Sequence, residues 1–421
     1  MTQAEKDAIY DILREELVPA MGCTEPIAIA YAAAKARALL AEQPTRAVVK
    51  CSGNIIKNVK AVVVPNSGGL RGLETCVTLG AIGGNAEKQL EVLEDIQPIH
   101  IEQTKRLLAE GFCTVEKLDT AIGLHLIVEL YSADHHAAVE IAHSHTNIVS
   151  MMVDGNAVEV HTEAVQNTVL PDRSFLNIRL IYDFANEADL AQLEELLRPQ
   201  IRYNTDIAEE GLKNEYGACV GASLLRHFGN DVTVVAKAMA AAGSDARMSG
   251  CPMPVVINSG SGNQGMTVSL PVIAYAQKLG ASDEMLLRAL ALSNLVALHQ
   301  KTRIGKLSAY CGVVSAATGS GAAISYLHGM PYEDICKTIT NTLANVSGII
   351  CDGAKPSCAA KIASAVDAAI MGHLMAMDHH TFGSGEGLVK DDVEQTIACI
   401  GTMGRNGMRE TDQEILRLML Q

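Results

Sequence analysis

Three cysteines sit where the chain breaks rather than inside a regular element. Cys23 lies in Met21-Gly22-Cys23-Thr24-Glu25-Pro26, Cys311 in Ala309-Tyr310-Cys311-Gly312, and Cys351 in Gly348-Ile349-Ile350-Cys351-Asp352-Gly353, with Pro356 and Cys358 just beyond. Glycine and proline beside each mark loop-to-helix junctions. Backbone N–H groups at a helix start lower a thiol's pKa and favour a thiolate aimed into a shared space, the form that ligates metal. The 11 cysteines are odd in number and scattered; in a reducing compartment that pattern means packing, metal ligation or catalysis rather than disulfides. Cys113, Cys219, Cys336 and Cys399 fall in regular-looking segments and read as packing, while Cys51 and Cys76 fit either use. No Cys-x-x-Cys pair is present. Spacing alone therefore leaves two readings for the three cysteines, as ligands or as buried residues at helix starts.

Polar glycine loops are the next candidates. Ser52-Gly53-Asn54 with Lys57 offers N–H and amide donors for a carboxylate and a lysine as counter-charge or base; the competing reading is a β-turn with a surface lysine. Asn66-Ser67-Gly68-Gly69 with Arg71 has the same ambiguity, Arg71 being suited to bidentate carboxylate binding. Glu25 either accepts a proton or belongs to a helix start capped by Thr24, with Pro26 in the first turn. His135-His136 and His379-His380 each follow an Asp and could bind metal, but read as exposed loop pairs. Gly260-Ser261-Gly262-Asn263-Gln264-Gly265 matches a dinucleotide-binding pattern, follows the strand-like Pro254–Ile257 and has Asp283 downstream. No second strand follows its helix, so no βαβ unit is expected. Its loop instead offers Asn258, Ser259 and Asn263 as donors around a site at a helix start.

The elements that position these residues divide the chain. Residues 3–42 read as helices broken at Val18–Pro26, and 46–69 as β-branched runs broken by Ser52-Gly53-Asn54 and closed by Pro65-Asn66. Helix signals follow at 72–95 and 101–111, and strands at 124–132, 136–144, 147–155 and 156–162. From about 185 onward the pattern is helical: 187–199, 206–226, 231–242, 267–279, 284–299, 312–327, 332–346, 358–377 and 389–401. The expected fold class is α+β. An α+β unit over 1–185, with an antiparallel or mixed sheet, packs on an all-α unit over 186–421, and helices 3–42 are candidates to lie on the second unit. With no Trp, 5 Phe and 35 Gly, the core must be built from small aliphatic residues that let helices approach closely.

Several longer segments together resemble a known family: GCTEP at 22–26, SGNIIKNVKAVVVPNSGGLRG at 52–72, INSGSGNQGMTVSLPV at 257–272, GKLSAYCGVVSAATGSGAA at 305–323 and GIICDGAKPSCAAKIASAVDAA at 348–369. They look like the L-cysteine desulfidase family, nearly end to end, and the C-terminal half resembles the α-chain region of iron–sulfur L-serine dehydratases. The resemblance implies a [4Fe–4S] cluster held by Cys23, Cys311 and Cys351, with one iron lacking a protein ligand. The dehydratase pattern adds Cys358, although the Cys351–Cys358 spacing is shorter here than in that pattern. His143-Ser144-His145-Thr146 is similar to part of the Ser-Ser-His-Thr loop of those dehydratases, which implies His145 near substrate.

The activity implied by this resemblance is that of a carbon–sulfur lyase, which abstracts the Cα proton of L-cysteine and releases sulfide, pyruvate and ammonia. The alternatives are an L-serine dehydratase on the same scaffold and a nucleotide- or metabolite-binding protein using the glycine loops. The expected partner is a small amino-acid substrate, with a homo-oligomer left open. Nucleic acid is disfavoured by the net charge of −15. The charged amphipathic N-terminus and the short apolar runs give no membrane signal and point to the cytoplasm.

Overall fold

The computed structural model describes residues 1–158, 173–305 and 308–420. The first half runs α1 (Gln3–Glu16), β1 (Pro19–Met21), α2 (Thr24–Leu40), β2 (Arg46–Cys51), α3 (Gly53–Val59), α4 (Leu73–Gly83), α5 (Pro98–Ala109), β3 (Cys113–Lys117), β4 (His125–Tyr131), β5 (His136–Ala142), β6 (Ile148–Val153) and β7 (Asn156–Ala157). The second half runs α6 (Ile178–Glu187), α7 (Leu190–Lys213), α8 (Val220–Phe228), α9 (Val232–Met248), β8 (Pro254–Val256), α10 (Gly262–Leu279), α11 (Asp283–Ile304), α12 (Gly312–Leu327), α13 (Tyr332–Asn345), α14 (Cys358–Met377), α15 (Val393–Thr402) and α16 (Arg409–Leu420). The fold class is α+β.

Six strands form a mixed sheet in the order β3-β2-β4-β5-β6-β7, with β2 and β3 parallel and every other neighbour antiparallel. Alternation sets its buried face: Leu126, Val128 and Leu130 of β4 point inward beside Val139 and Ile141 of β5. The alanine-rich α2 lies on that face, buried along nearly its whole length, and α4 closes against it. A Cβ on Gly80 would stand 2.4 Å from the Ala30 carbonyl oxygen, so the α2–α4 approach depends on that glycine.

The helical half has its own core, with α12 packed between α10, α11, α13 and α14. Helix α1 joins this core through Ile9, Ile12 and Leu13, its Tyr10 ring meeting Phe184 edge-on at 5.0 Å. Strand β1 crosses the two halves by pairing antiparallel with β8, Ala20 opposite Val255. That ladder brings Cys23 beside the glycine loop at 258–265. Helix α14 is long and apolar enough to cross a bilayer, but its Ile362, Val366, Ala369 and Ile370 are buried against neighbouring helices.

Several segments depart from expectation. Residues 53–59, whose isoleucine and valine content read as strand, form α3 with Ile55, Ile56 and Val59 buried on one face; tertiary burial overrides β-propensity here. The helix expected over 72–95 stops at Gly83, where Gly84 turns extended, and a short 3-10 turn follows. Part of the last expected strand, 159–162, lies outside the described residues. Among the described residues the dinucleotide pattern makes no βαβ unit: there β8 pairs only with β1, α10 leads into α11, and Asp283 is bound by Arg198 at 2.6 Å.

Candidate functional site

Cys23, Cys311, Cys351 and Cys358 line one cavity of about 100 Å³. Cys23 and Cys311 are the N-cap residues of α2 and α12, neither with a side-chain capping bond, and Cys358 opens α14. With α10, whose Asn263 and Gln264 also line the cavity, four helix N-termini meet there. Their unpaired N–H groups and positive dipole ends favour anionic groups such as thiolates.

Backbone pairing fixes the two C-terminal cysteines relative to one another. Tyr310 and Ile350 form an antiparallel bridge; the Cys311 N–H donates to the Ile349 carbonyl at 2.8 Å and the Cys351 N–H to the Ala309 carbonyl at 2.7 Å. The Cys311 thiol hydrogen-bonds Cys351, and this contact, acting against burial and aided by Lys57, the Gly353 N–H and Lys361, lowers the Cys351 pKa to about 6. The same bond, then burial, raises Cys311. Burial, then the charge of Glu25, raises Cys23, whose Sγ donates to Glu25 Oε2 at 3.2 Å. Cys358 Sγ lies 3.7 Å from the Gly353 carbonyl, and burial raises its pKa.

Gly22 and Gly353 shape the approach to the cavity. Gly22 has φ +65°, and a Cβ there would strike Pro65 Cγ at 2.1 Å; Gly353 has φ +91°, and a Cβ there would strike the Lys57 carbonyl oxygen at 2.2 Å. Only glycine fits either position.

Lys57 lies in α3, buried to 2% exposure, lines the cavity and forms an ion pair with Asp412 of α16. Asn54, His145, Ser259 and Asn263 also line it. Other expected residues lie elsewhere. Ser52 and Gly53 face an outer groove of about 860 Å³, which shares Asn54, Lys57 and Ser308 with the cavity. Ser52 Oγ is tied there to the Gly123 carbonyl at 2.6 Å, and Gly53 is covered by Leu416. Asn66 donates to the Leu93 carbonyl at 2.9 Å and Ser67 to the Leu70 carbonyl at 3.1 Å, while Arg71 is exposed; their loop supports Gly22 through Pro65 rather than facing the site. Asn258 is buried behind the cavity wall, bonded to Asn294 at 3.0 Å.

The capping role expected of Thr24 is also corrected. Its hydroxyl donates across the two halves to the Gly260 carbonyl at 2.8 Å. Glu25 accepts from Asn58 Nδ2 at 3.0 Å. Burial raises the Glu25 pKa, but His145, the cysteine and the asparagine outweigh it and leave the carboxyl below its ordinary value. The sequence reading passed over five buried polar residues of the cavity: Asn58, Arg247, Gln264, Lys301 and Tyr310. Burial lowers Lys301 to about 8 despite the opposing charges of Cys351 and Cys311.

Among the described residues, no three His, Cys, Asp or Glu side chains converge closely enough to share one metal ion. A cluster asks for a different arrangement, because its thiolates bind separate irons. Thiols at uncapped helix starts, the acidic Cys351 in the loop before α14, and Lys57, Lys301 and Arg247 in the same wall match the donor set and charge that such a cluster requires.

The family model for the serine dehydratase alpha chain matches residues 87–417. The chain belongs to that family. Relatives match along the full length: a UPF0597 protein of Lachnoclostridium phytofermentans is 54% identical, covering 98% of this chain and 99% of its own length. One from Desulfitobacterium hafniense is 51% identical over 97% of this chain and 96% of its own length. One from Treponema denticola is 46% identical over 100% of this chain and 99% of its own length. The family match covers Cys311, Cys351 and Cys358, whereas Cys23 and Lys57 precede it.

Proposed function

We propose that the protein is an iron–sulfur lyase that cleaves L-cysteine to pyruvate, ammonia and hydrogen sulfide. The observation that carries this is the meeting of Cys23, Cys311 and Cys351 with two buried lysines in one small cavity. In this reading the three cysteines hold the cluster, and Cys358 stays protonated at the start of α14. When bound, a [4Fe–4S] cluster with one iron free of protein ligation supplies a Lewis acid for the leaving group.

The chain's own residues supply the rest. The helix N-termini and Arg247 place positive potential against the substrate carboxylate. Walls with Leu124 and Val313 exclude bulk water, which strengthens each electrostatic contact. The Asp412 pairing fits Lys57 for counter-charge rather than for proton removal, and Lys301 takes the Cα proton. Elimination then leaves an aminoacrylate, which tautomerises and hydrolyses to pyruvate and ammonia.

A second reading, dehydration of L-serine at the same site, has the family match in its favour. The nucleotide-binding reading has no support in the cavity: about 100 Å³ is well under the roughly 300–1,000 Å³ of sites for drug-sized ligands. Anaerobic reconstitution followed by separate assays of sulfide and pyruvate, with each amino acid in turn, decides between the two reactions. Sulfide and pyruvate released in equal amounts from L-cysteine support the desulfidase. Pyruvate from L-serine with no sulfide from L-cysteine establishes the dehydratase instead.

A further inference from the structure

We propose that Arg247 is the carboxylate-binding residue of the cavity and restricts its ligands to α-amino acids. The inference rests on the reading that the cavity receives an amino acid, and it names the group that recognises one. Arg247 stands in the last turn of α9, is 2% exposed and faces the cavity. Its Nη1 donates to Asn263 Oδ1 at 3.3 Å, and its Nε has no hydrogen-bond partner. Among the described residues, no aspartate or glutamate lies within ion-pairing distance of it, although ion pairs are frequent elsewhere in the chain.

A buried guanidinium without an acid is strongly disfavoured, so the position calls for an anion from outside. Gly262 makes room for the guanidinium itself: a Cβ there would stand 2.4 Å from Nε. Gly262 also opens α10, whose first turn lines the cavity through Asn263 and Gln264. On the same wall Gln264 has its side-chain oxygen unpartnered and is 6% exposed. The guanidinium donors and this lone acceptor line the same cavity, and together they complement the carboxylate and ammonium of an α-amino acid.

Arg247 also acts on Cys23, lowering its pKa against the stronger effect of burial. A purely thiolate-neutralising role is therefore the competing account, and it is tested without the cluster. The cluster-free protein is titrated calorimetrically with L-alanine, which has both charged groups and no leaving group, and with ethylamine, which lacks the carboxylate. Wild-type protein is expected to bind L-alanine about tenfold or more tightly than ethylamine. Arg247→Gln should lose about that factor for L-alanine and none for ethylamine, with Arg247→Lys intermediate. Gly262→Ala, which keeps the arginine but pushes it aside, should weaken L-alanine alone; it serves as the second variant if Arg247→Gln fails to fold by circular dichroism. Equal L-alanine affinity in wild type and Arg247→Gln overturns the proposal, as does wild-type protein that binds both probes alike or neither. Protein that passes these tests yet releases no sulfide from L-cysteine after reconstitution keeps the carboxylate site and rejects only the desulfidase reading.

Discussion

Replacing Asp412 with Asn probes how the C-terminal helix is held over the site. Lys57 has 1% of its side chain exposed and Asp412 21%. Removing one member of a buried pair costs about 3–5 kcal/mol, because the remaining charge is left uncompensated. Exposed pairs are worth about 0–1 kcal/mol. Asp412 is partly wet, so water reaches part of the gap, and we expect about 3 kcal/mol. The effect should be local to α16, whose other anchors are Leu416 against Gly53 and the Met419 carbonyl accepting from Lys60. Amide hydrogen exchange followed by mass spectrometry reads this directly: α16 peptides should exchange about a hundredfold faster in Asp412→Asn, with β4 and α12 peptides unchanged. Lys57→Met fills the space without a charge, so Lys57→Met/Asp412→Asn should protect α16 better than Asp412→Asn alone. Exchange in Asp412→Asn within about threefold of wild type, or a double variant more labile than the single, refutes the reasoning that a buried lysine charge holds α16 in place.

Other expectations rest on the same geometry. Lys301→Met should abolish pyruvate formation while iron and sulfide content stay at wild-type levels; retained turnover would exclude Lys301 as the base. Gly265→Ala would place a Cβ 2.0 Å from the Val256 carbonyl oxygen, and urea denaturation should show a loss of about 2–3 kcal/mol or more. His373 is buried, bonded to Ser325 Oγ at 2.8 Å, and burial lowers its pKa from 6.5 to about 4. The unfolded chain then binds more protons between those values, so His373 costs stability as pH falls from about 6.5 to 4, by at most about 3 kcal/mol. The stability–pH curve of His373→Gln should be flatter than wild type over that window; parallel curves would show that His373 has no part in the acid sensitivity.

Much of the helical half was legible because its period and its punctuation agree. Gly312–Leu327 and Cys358–Met377 form helices over the ranges that the sequence suggests, each starting beside a glycine- or proline-marked break. Strands β4 to β6 announced themselves by alternation and short turns. Residues 53–59 misled because isoleucine and valine serve a buried helix face as readily as a strand. The cysteines were visible as junction residues, but their convergence depends on pairings between distant segments: β1 with β8, and Tyr310 with Ile350. The polar loop at 66–71 shows the opposite error, since its glycines and Arg71 look functional locally, yet the loop packs behind Gly22. Arg247 and Lys301 were missed because a cation near a helix end ordinarily reads as solvated; only the fold shows that both are buried in the cavity wall.

The central claim is the ligand set, and iron analysis of anaerobically reconstituted cysteine variants tests it most directly. Wild-type protein should be brown and carry about four iron and four sulfide per chain. Cys23→Ser, Cys311→Ser and Cys351→Ser should each fall well below that content, and Cys358→Ser should retain it. A colourless wild-type protein, or a Cys358→Ser variant that loses iron while Cys23→Ser keeps it, would contradict the assignment.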